Sequence, residues 1–330
     1  MTLSGEFHAP ARVSGTRIPD FFIVGHAKSG TTALYEMLRP HPDIYMPEVK
    51  EPWFLATDMR VRFQPKRGGI PPQTLEEYLA LFADARPDQR AGEASSSYLW
   101  SRTAAENIAA LAPAAKIIAL LREPASFLYS LHLQLVQNHV EVEKDLRKAL
   151  SLEDARRKGK RIPRRSHRPQ MLRYSDHVHY VEQLRRYHDR FPKDQVLVLI
   201  YDDFRLDNEG TVRTVLGFLE VDEDFPVEVL KINPTVRTRS QQLEDMVHAV
   251  SVGRGRVSSS VRAVVKRVTP QTPRRDLQQF VIRRLVFSKP KPPDEELMNE
   301  LRIRFRDEVA ALSEYLDRDL ITLWGYDRLS

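Results

Sequence analysis

Gly25-His26-Ala27-Lys28-Ser29-Gly30-Thr31-Thr32 places two glycines, a lysine and three hydroxyls within eight positions. It follows the apolar run Phe21-Phe22-Ile23-Val24 and opens a stretch of helix formers from Thr31 to Leu38, with no breaker before Pro40. A strand that turns through glycine into a helix leaves the first helical amides without intrahelical partners, pointing at the loop. Together with the helix dipole they form an anion site. Gly30 lets the backbone approach the anion without a Cβ in the way, Thr31 and Thr32 add hydroxyl donors, and Lys28 adds a positive charge.

The spacing separates two phosphate chemistries. A nucleotide-kinase loop reads Gly-x-x-x-x-Gly-Lys-Ser/Thr, with the lysine after the second glycine. Gly25 and Gly30 keep that separation, but Thr31 stands in the lysine's place and Lys28 precedes Gly30 by two residues. A second candidate is Arg122, which follows the apolar run Ile117-Ile118-Ala119-Leu120-Leu121. The carboxyl end of a buried strand is where ligands bind in open α/β sheets, and a guanidinium there can grip a phosphate through two parallel hydrogen bonds. Pro124 suits an early helical position. Ser130, about two helical turns beyond Arg122, can turn its hydroxyl to the same side.

Elements that could position these groups follow from hydrophobic patterning. Phe21–Val24, Ile117–Leu121 and Val196-Leu197-Val198-Leu199-Ile200-Tyr201 are apolar without alternation, as in parallel strands covered on both faces. Helical spacing marks Leu75, Tyr78, Leu79 and Phe82; Val178, Val181, Leu184, Tyr187 and Phe191; and Val212, Val215, Leu216 and Leu219. Strands alternating with helices predict a P-loop-like central parallel sheet flanked by helices. The last third is expected to be mainly helical: Val257, Val261, Val264, Val265 and Val268 keep helical spacing, and Asp294 can cap a long helix running through Leu316. One domain is expected over residues 1–330, with residues 1–19 an N-terminal extension, 20–205 the α/β core and 206–330 a helical cover.

Composition removes several chemistries. The chain has no cysteine, hence no disulfide, thiolate zinc site or cysteine nucleophile, and its ten histidines are scattered without zinc spacing, so no metal is expected. No apolar run is long enough to span a bilayer, and the first nineteen residues lack a secretory h-region. The expectation is a soluble cytoplasmic protein, with peripheral membrane contact left open. The net charge of +6 is concentrated between Arg254 and Lys291, where Asp276 is the single acid, and favours anionic partners. No aromatic interleaving or nucleic-acid motif accompanies it, so nucleic acid is not an expected partner.

Lys28-Ser29-Gly30-Thr31-Thr32 resembles the 5′-phosphosulfate loop of sulfotransferases that use 3′-phosphoadenosine 5′-phosphosulfate (PAPS). Arg122 with Ser130 is similar to the family's 3′-phosphate motif. The resemblance covers about residues 20–205 and implies PAPS as sulfuryl donor, no metal, and a small-molecule or glycan acceptor. It further places Tyr201, in Tyr201-Asp202-Asp203, near the nucleotide; a packed tyrosine before a solvated turn is the alternative. The family closes a late basic loop over the nucleotide. Asn233–Ser240, with Arg237 and Arg239, is favoured here over Gly253–Arg256, and neither reproduces the usual pattern.

Lys50-Glu51-Pro52-Trp53-Phe54 resembles a stretch of the heparan-type carbohydrate branch whose glutamate is the general base, which implies that role for Glu51. Without the resemblance, Glu51 reads as a loop carboxylate paired with Lys50 or Arg60. Glu93 is a second candidate base; it falls where that branch has Glu-Lys-Ser-Pro-x-Tyr, with Ala94 in place of the lysine. His26 and His132 are candidates by proximity. The cytosolic small-molecule branch has a histidine base between the two motifs, and no histidine lies from Arg60 to Arg122. The basic segment from Lys144 to Arg168 is either an acceptor loop or a solvated helix and loop. Two rival readings stand beside the transferase: a P-loop nucleotide kinase or other NTPase, and a non-catalytic polyanion-binding protein built on the basic stretch from Arg254 to Lys291.

Overall fold

The computed structural model describes residues 17–59, 72–164, 166–228, 237–238, 287–288 and 292–329. The chain enters through Phe21–Ile23 (β1) and turns into Thr31–Leu38 (α1). It passes Ile44–Tyr45 (β2) and Leu75–Leu79 (α2), then Arg90–Ala94 (β3) and Ala104–Leu111 (α3). Lys116–Leu121 (β4) leads into Pro124–Gln137 (α4), followed by Leu146–Ser151 (α5), Glu153–Arg157 (α6) and Tyr180–His188 (α7). Val196–Ile200 (β5) runs directly into Tyr201–Leu206 (α8) and on to Asn208–Leu219 (α9). The short strands Arg237–Thr238 (β6) and Phe287–Ser288 (β7) pair antiparallel, and Glu295–Tyr315 (α10) and Leu320–Leu323 (α11) complete the described chain.

The central sheet has five parallel strands in the order β2-β3-β1-β4-β5. It is flanked by helices, as the alternating pattern predicts. Its strands are buried on both faces, and the side chains divide by the period of two. Phe22, Val24, Ile117, Ala119 and Leu121 face the core formed with α3, α7 and the C-terminal helices. Phe21, Ile23, Ile118 and Leu120 face the core formed with α1 and α9. A third cluster joins α4 and α5 to the start of α10. The chain leaves β1 for β3 on one side and later returns to β4 on the other. The strand order therefore switches at β1, and a crevice opens beyond the carboxyl ends of β1 and β4.

Two of the five strands correct the sequence reading, which found only three. β2 has two residues, and β3 reads Arg90-Ala91-Gly92-Glu93-Ala94. β3 pairs beside β1 with Gly92 opposite Phe21, and a Cβ on Gly92 would lie 2.1 Å from the Phe21 ring. Asp294 caps α10 as expected, accepting from the amides of Glu296 and Leu297. The expected helix through Val257–Val268 and most of the basic stretch from Arg254 to Lys291 lie outside the described residues. No described helix is long and apolar enough to cross a membrane.

Candidate active site

The loop after β1 is built around two close approaches. A Cβ on Gly25 would meet the Leu120 backbone nitrogen at 2.1 Å, so only glycine lets the loop lie on β4. The His26 amide donates to the Leu120 carbonyl at 3.0 Å, which extends the contact. Lys28 and Gly30 have left-handed backbones, with φ of 66° and 95°. At Gly30 a Cβ would sit 2.8 Å from the Phe204 ring of α8 and 3.4 Å from the Tyr201 ring. Thr31 then opens α1 with its side chain buried, while Thr32 is exposed.

This curled loop leaves polar groups without partners. Ser29 is fully buried, and its hydroxyl has no hydrogen-bond partner among the described residues. Burial, with the charge of Arg122 added, lowers the pKa of Lys28 from the ordinary lysine value. A buried hydroxyl and a half-desolvated ammonium, both without a hydrogen-bond or ion-pair partner among the described residues, are what a bound oxyanion would satisfy.

Arg122 meets the same loop from the end of β4. Its Nη1 donates to the Lys28 carbonyl at 3.0 Å, and its guanidinium lies 4.7 Å from the centre of the Tyr201 ring. Lys28, Gly30, Arg122 and Tyr201 are thus brought together by the β1, β4 and β5 strand ends. Tyr201 is the first residue of α8 rather than the last of the strand. Glu123 caps α4 by accepting from the amides of Ala125 and Ser126, with Pro124 in the first turn. Tyr180 of α7 donates to the Arg122 carbonyl at 2.9 Å. Ser130 is buried on α4. β6, which contains Arg237, lies against α4, but the Arg237 side chain and all of Arg239 fall outside the described residues.

Glu51 sits at the neighbouring strand end. Its amide donates to the Ala94 carbonyl at the close of β3, at 3.0 Å, and its φ is 60°. The following turn is tied to β1, because the Ser95 amide donates to Ile23 and the Leu99 amide to Val24. The carboxylate is held on all sides. Lys50 Nζ and Ser96 Oγ donate to Oε1 at 2.7 and 2.8 Å, and Trp53 Nε1 and the Ser96 amide donate to Oε2 at 2.8 and 3.0 Å. The guanidinium of Arg168 lies over the Trp53 ring, 4.0 Å from its centre.

The other base candidates sit elsewhere. Glu93 is fully buried in β3, where Tyr78 donates to its Oε2 at 2.9 Å, and burial pushes its pKa up to about 7. His26 is buried between Phe127 and Tyr180, with Nε2 2.8 Å from Gln183 Oε1. Burial and the neighbouring His177 pull its pKa down to about 3. His132 is buried with Nε2 against the Glu143 carbonyl at 2.8 Å, and burial lowers its pKa. Both histidines are packed, hydrogen-bonded groups. The segment from Lys144 to Arg168 contains α5 and α6, anchored by the buried Arg156–Glu141 pair at 2.8 Å. Sequence reasoning named neither Ser96, Trp53 nor Arg168 for the surroundings of Glu51. Trp53 lay within the quoted motif, whereas Ser96 and Arg168 carry no signal of spacing. No cluster able to hold a metal ion occurs among the described residues.

Comparison with known proteins bears on the family and the fold. Mouse carbohydrate sulfotransferase 15 is 31% identical over 159 residues, which cover 37% of this chain and 28% of that protein. Human bifunctional heparan sulfate N-deacetylase/N-sulfotransferase 3 is 32% identical over 117 residues, 34% of this chain and 13% of that one. The aligned part is therefore less than a third of these curated relatives. The crystal structure of a sulfotransferase from Alicyclobacillus acidocaldarius superposes with a TM-score of 0.66 at 27% identity, over 93% of this chain and 98% of that one. The sulfotransferase family profile matches residues 19–225, more than half of the chain and the part that carries the loop, Arg122 and Glu51; the chain belongs to the sulfotransferase family.

Proposed function

We propose that this sulfotransferase takes a sulfuryl group from PAPS and transfers it in line to a hydroxyl or amine of a small-molecule or glycan acceptor. The observation that carries the reading is the pairing of two unsatisfied cationic sites across one loop. Lys28 and the buried Ser29 hydroxyl face an anion on one side, and Arg122, tied to the Lys28 carbonyl, offers its remaining donors on the other. A donor with phosphate at both the 5′ and the 3′ positions answers both.

In this reading the loop amides, Ser29, Thr31 and Thr32 hold the 5′-phosphosulfate, and Arg122 and Ser130 hold the 3′-phosphate. Tyr201 flanks the nucleotide, and Arg237 and Arg239 close over it. The sulfur–oxygen bond to the 5′-phosphate breaks as the bond from sulfur to the acceptor atom forms. Lys28 neutralises the charge that develops on the departing phosphate oxygen. Glu51 accepts the acceptor's proton once the acceptor displaces a Ser96 or Lys50 contact. By analogy with phosphoryl transfer, a loose transition state needs positioning and charge stabilisation, and no metal is required.

The test is ligand protection of the whole chain against thermal unfolding, followed by transfer. The product 3′-phosphoadenosine 5′-phosphate (PAP) should raise the unfolding midpoint where ATP with magnesium does not. Lys28→Ala should lower transfer of labelled sulfate from PAPS by roughly a hundredfold to a thousandfold. Protection by magnesium ATP with none by PAP would return the chain to the nucleotide-kinase reading.

A further inference from the structure

Arg168 is a guanidinium held in place with its donors unused. It is half-buried, and its guanidinium carbon lies over the Trp53 ring, 4.0 Å from the ring centre. Neither a hydrogen bond nor an ion pair to its side chain occurs among the described residues. The edge of the same indole is occupied in a different way: Trp53 Nε1 donates to Glu51 at 2.8 Å. One aromatic ring therefore spaces a partnerless cation from the carboxylate that removes the acceptor's proton in the proposed mechanism. Glu51 is already answered by Lys50, Trp53 and Ser96, so it is not the missing partner. Burial lowers the pKa of Arg168, with the charge of Glu51 acting in the other direction.

A desolvated guanidinium with a free fork of donors is suited to a carboxylate, sulfate or phosphate approached edge-on, with its face left on the indole. The place of that oxyanion is fixed by the shelf. It is one indole ring away from Glu51, hence a few bonds from the atom that is deprotonated. A donor phosphate is already accounted for by Lys28 and Arg122 at the β1 and β4 ends.

We propose that Arg168, supported by Trp53, is a specificity-determining residue that binds an oxyanion of the acceptor beside the hydroxyl or amine that receives the sulfuryl group. The acceptor is accordingly an anionic molecule, such as a uronate-containing or already sulfated sugar or a carboxylated phenol, and not a neutral one. This rests on the site reading given above for Glu51 and the donor.

Matched probes test it on the full chain saturated with PAP. Hyaluronan hexasaccharide is compared with its carboxyl-reduced form, chondroitin 4-sulfate hexasaccharide with chondroitin hexasaccharide, and 4-hydroxyphenylacetate with 4-hydroxyphenethyl alcohol. Thermal protection gives an apparent Kd for each. The expected result is that at least one charged member of a carboxylate pair, or the sulfated member of the sulfate pair, binds roughly tenfold tighter than its partner. Arg168→Gln should erase that preference while PAP protection stays unchanged, and Arg168→Lys should restore part of it. The carboxylate and sulfate pairs tell the two oxyanion sources apart. Equal binding within every pair, a charge preference that survives Arg168→Gln, no binding by any charged probe, or weakened PAP binding in Arg168→Gln would overturn the proposal. Absence of PAP protection in the unsubstituted protein would instead overturn the donor reading on which it rests.

Discussion

Two carboxylates close to the β3 strand end have opposite surroundings, and their environments predict different roles. Glu51 is partly buried and holds four donors, whereas Glu93 is enclosed, with its pKa raised to about 7 by burial. Glu51→Gln should therefore lower turnover by roughly a hundredfold or more with PAP binding intact, read as a fall in the transfer rate at saturating PAPS. Normal turnover would remove Glu51 from the chemistry. Glu93 should act on stability instead. A raised carboxyl pKa favours the folded state only while the group is neutral. Stability is then fullest below the ordinary glutamate value, falls as pH rises toward about 7, and is flat above it. The loss is on the order of 3 kcal/mol. Glu93→Gln keeps an acceptor for Tyr78 and should flatten the profile, making the variant more stable than the parent at pH 8 in urea unfolding. At this scale the legible residues were those inside motifs: Lys28, Arg122, Glu51. Arg168 and Ser96 were not legible, because their value comes from where the turn before Pro169–Leu172 and the turn after β3 carry them, and no spacing in the sequence encodes that meeting.

The loop from Gly25 to Thr31 works as an element only because β4 and α8 crowd it. Gly25 lies on the Leu120 backbone, and Gly30 lies under the rings of Phe204 and Tyr201 at a φ of 95°. Gly30→Ala meets both penalties, the left-handed backbone and a Cβ 2.8 Å from the Phe204 ring. The backbone part costs about 1–2 kcal/mol. Stability and PAP affinity should both fall, and Phe204→Leu in the same chain should recover the steric share while leaving the backbone share. Full recovery would show that φ carries no strain. The sequence made β1, β4 and β5 readable, because strands covered on both faces are continuously apolar. It concealed β3, whose Arg90-Ala91-Gly92-Glu93-Ala94 has no β-branched residue. There the Phe21 ring occupies the space a side chain at position 92 would need, so the strand is defined by its neighbour and not by its own propensity.

At the scale of the molecule, the C-terminal segment reaches back to the two strand ends that carry Arg122 and Tyr201. Tyr326 donates to Glu123 Oε1 at 2.8 Å, next to Arg122. Trp324 Nε1 donates to Asp202 Oδ2 at 3.0 Å, next to Tyr201, and Arg318 pairs with Asp203, one residue further on, at 2.6 Å. The Arg122–Tyr201 pair is therefore flanked beyond each strand end by a carboxylate held from a segment nearly a hundred residues past the end of the family match. The patterning over Asp294–Leu316 predicted the long helix, but a pattern shows only that a face is buried and not which carboxylates it will reach. If this strap sets the angle of Arg122, loosening it should harm recognition of the 3′-phosphate more than that of the rest of the nucleotide. Tyr326→Phe removes one hydroxyl from a buried carboxylate and should cost about 1–3 kcal/mol of stability. The discriminating measurement is the ratio of PAP to AMP affinity, since AMP lacks the 3′-phosphate. In Tyr326→Phe, and further in Tyr326→Phe with Trp324→Phe, that ratio should drop roughly threefold to tenfold with AMP affinity held. Arg122→Ala, which removes the guanidinium outright, sets the floor. An equal loss for both nucleotides would make the strap a source of stability alone, with Arg122 aligned by α7 through Tyr180.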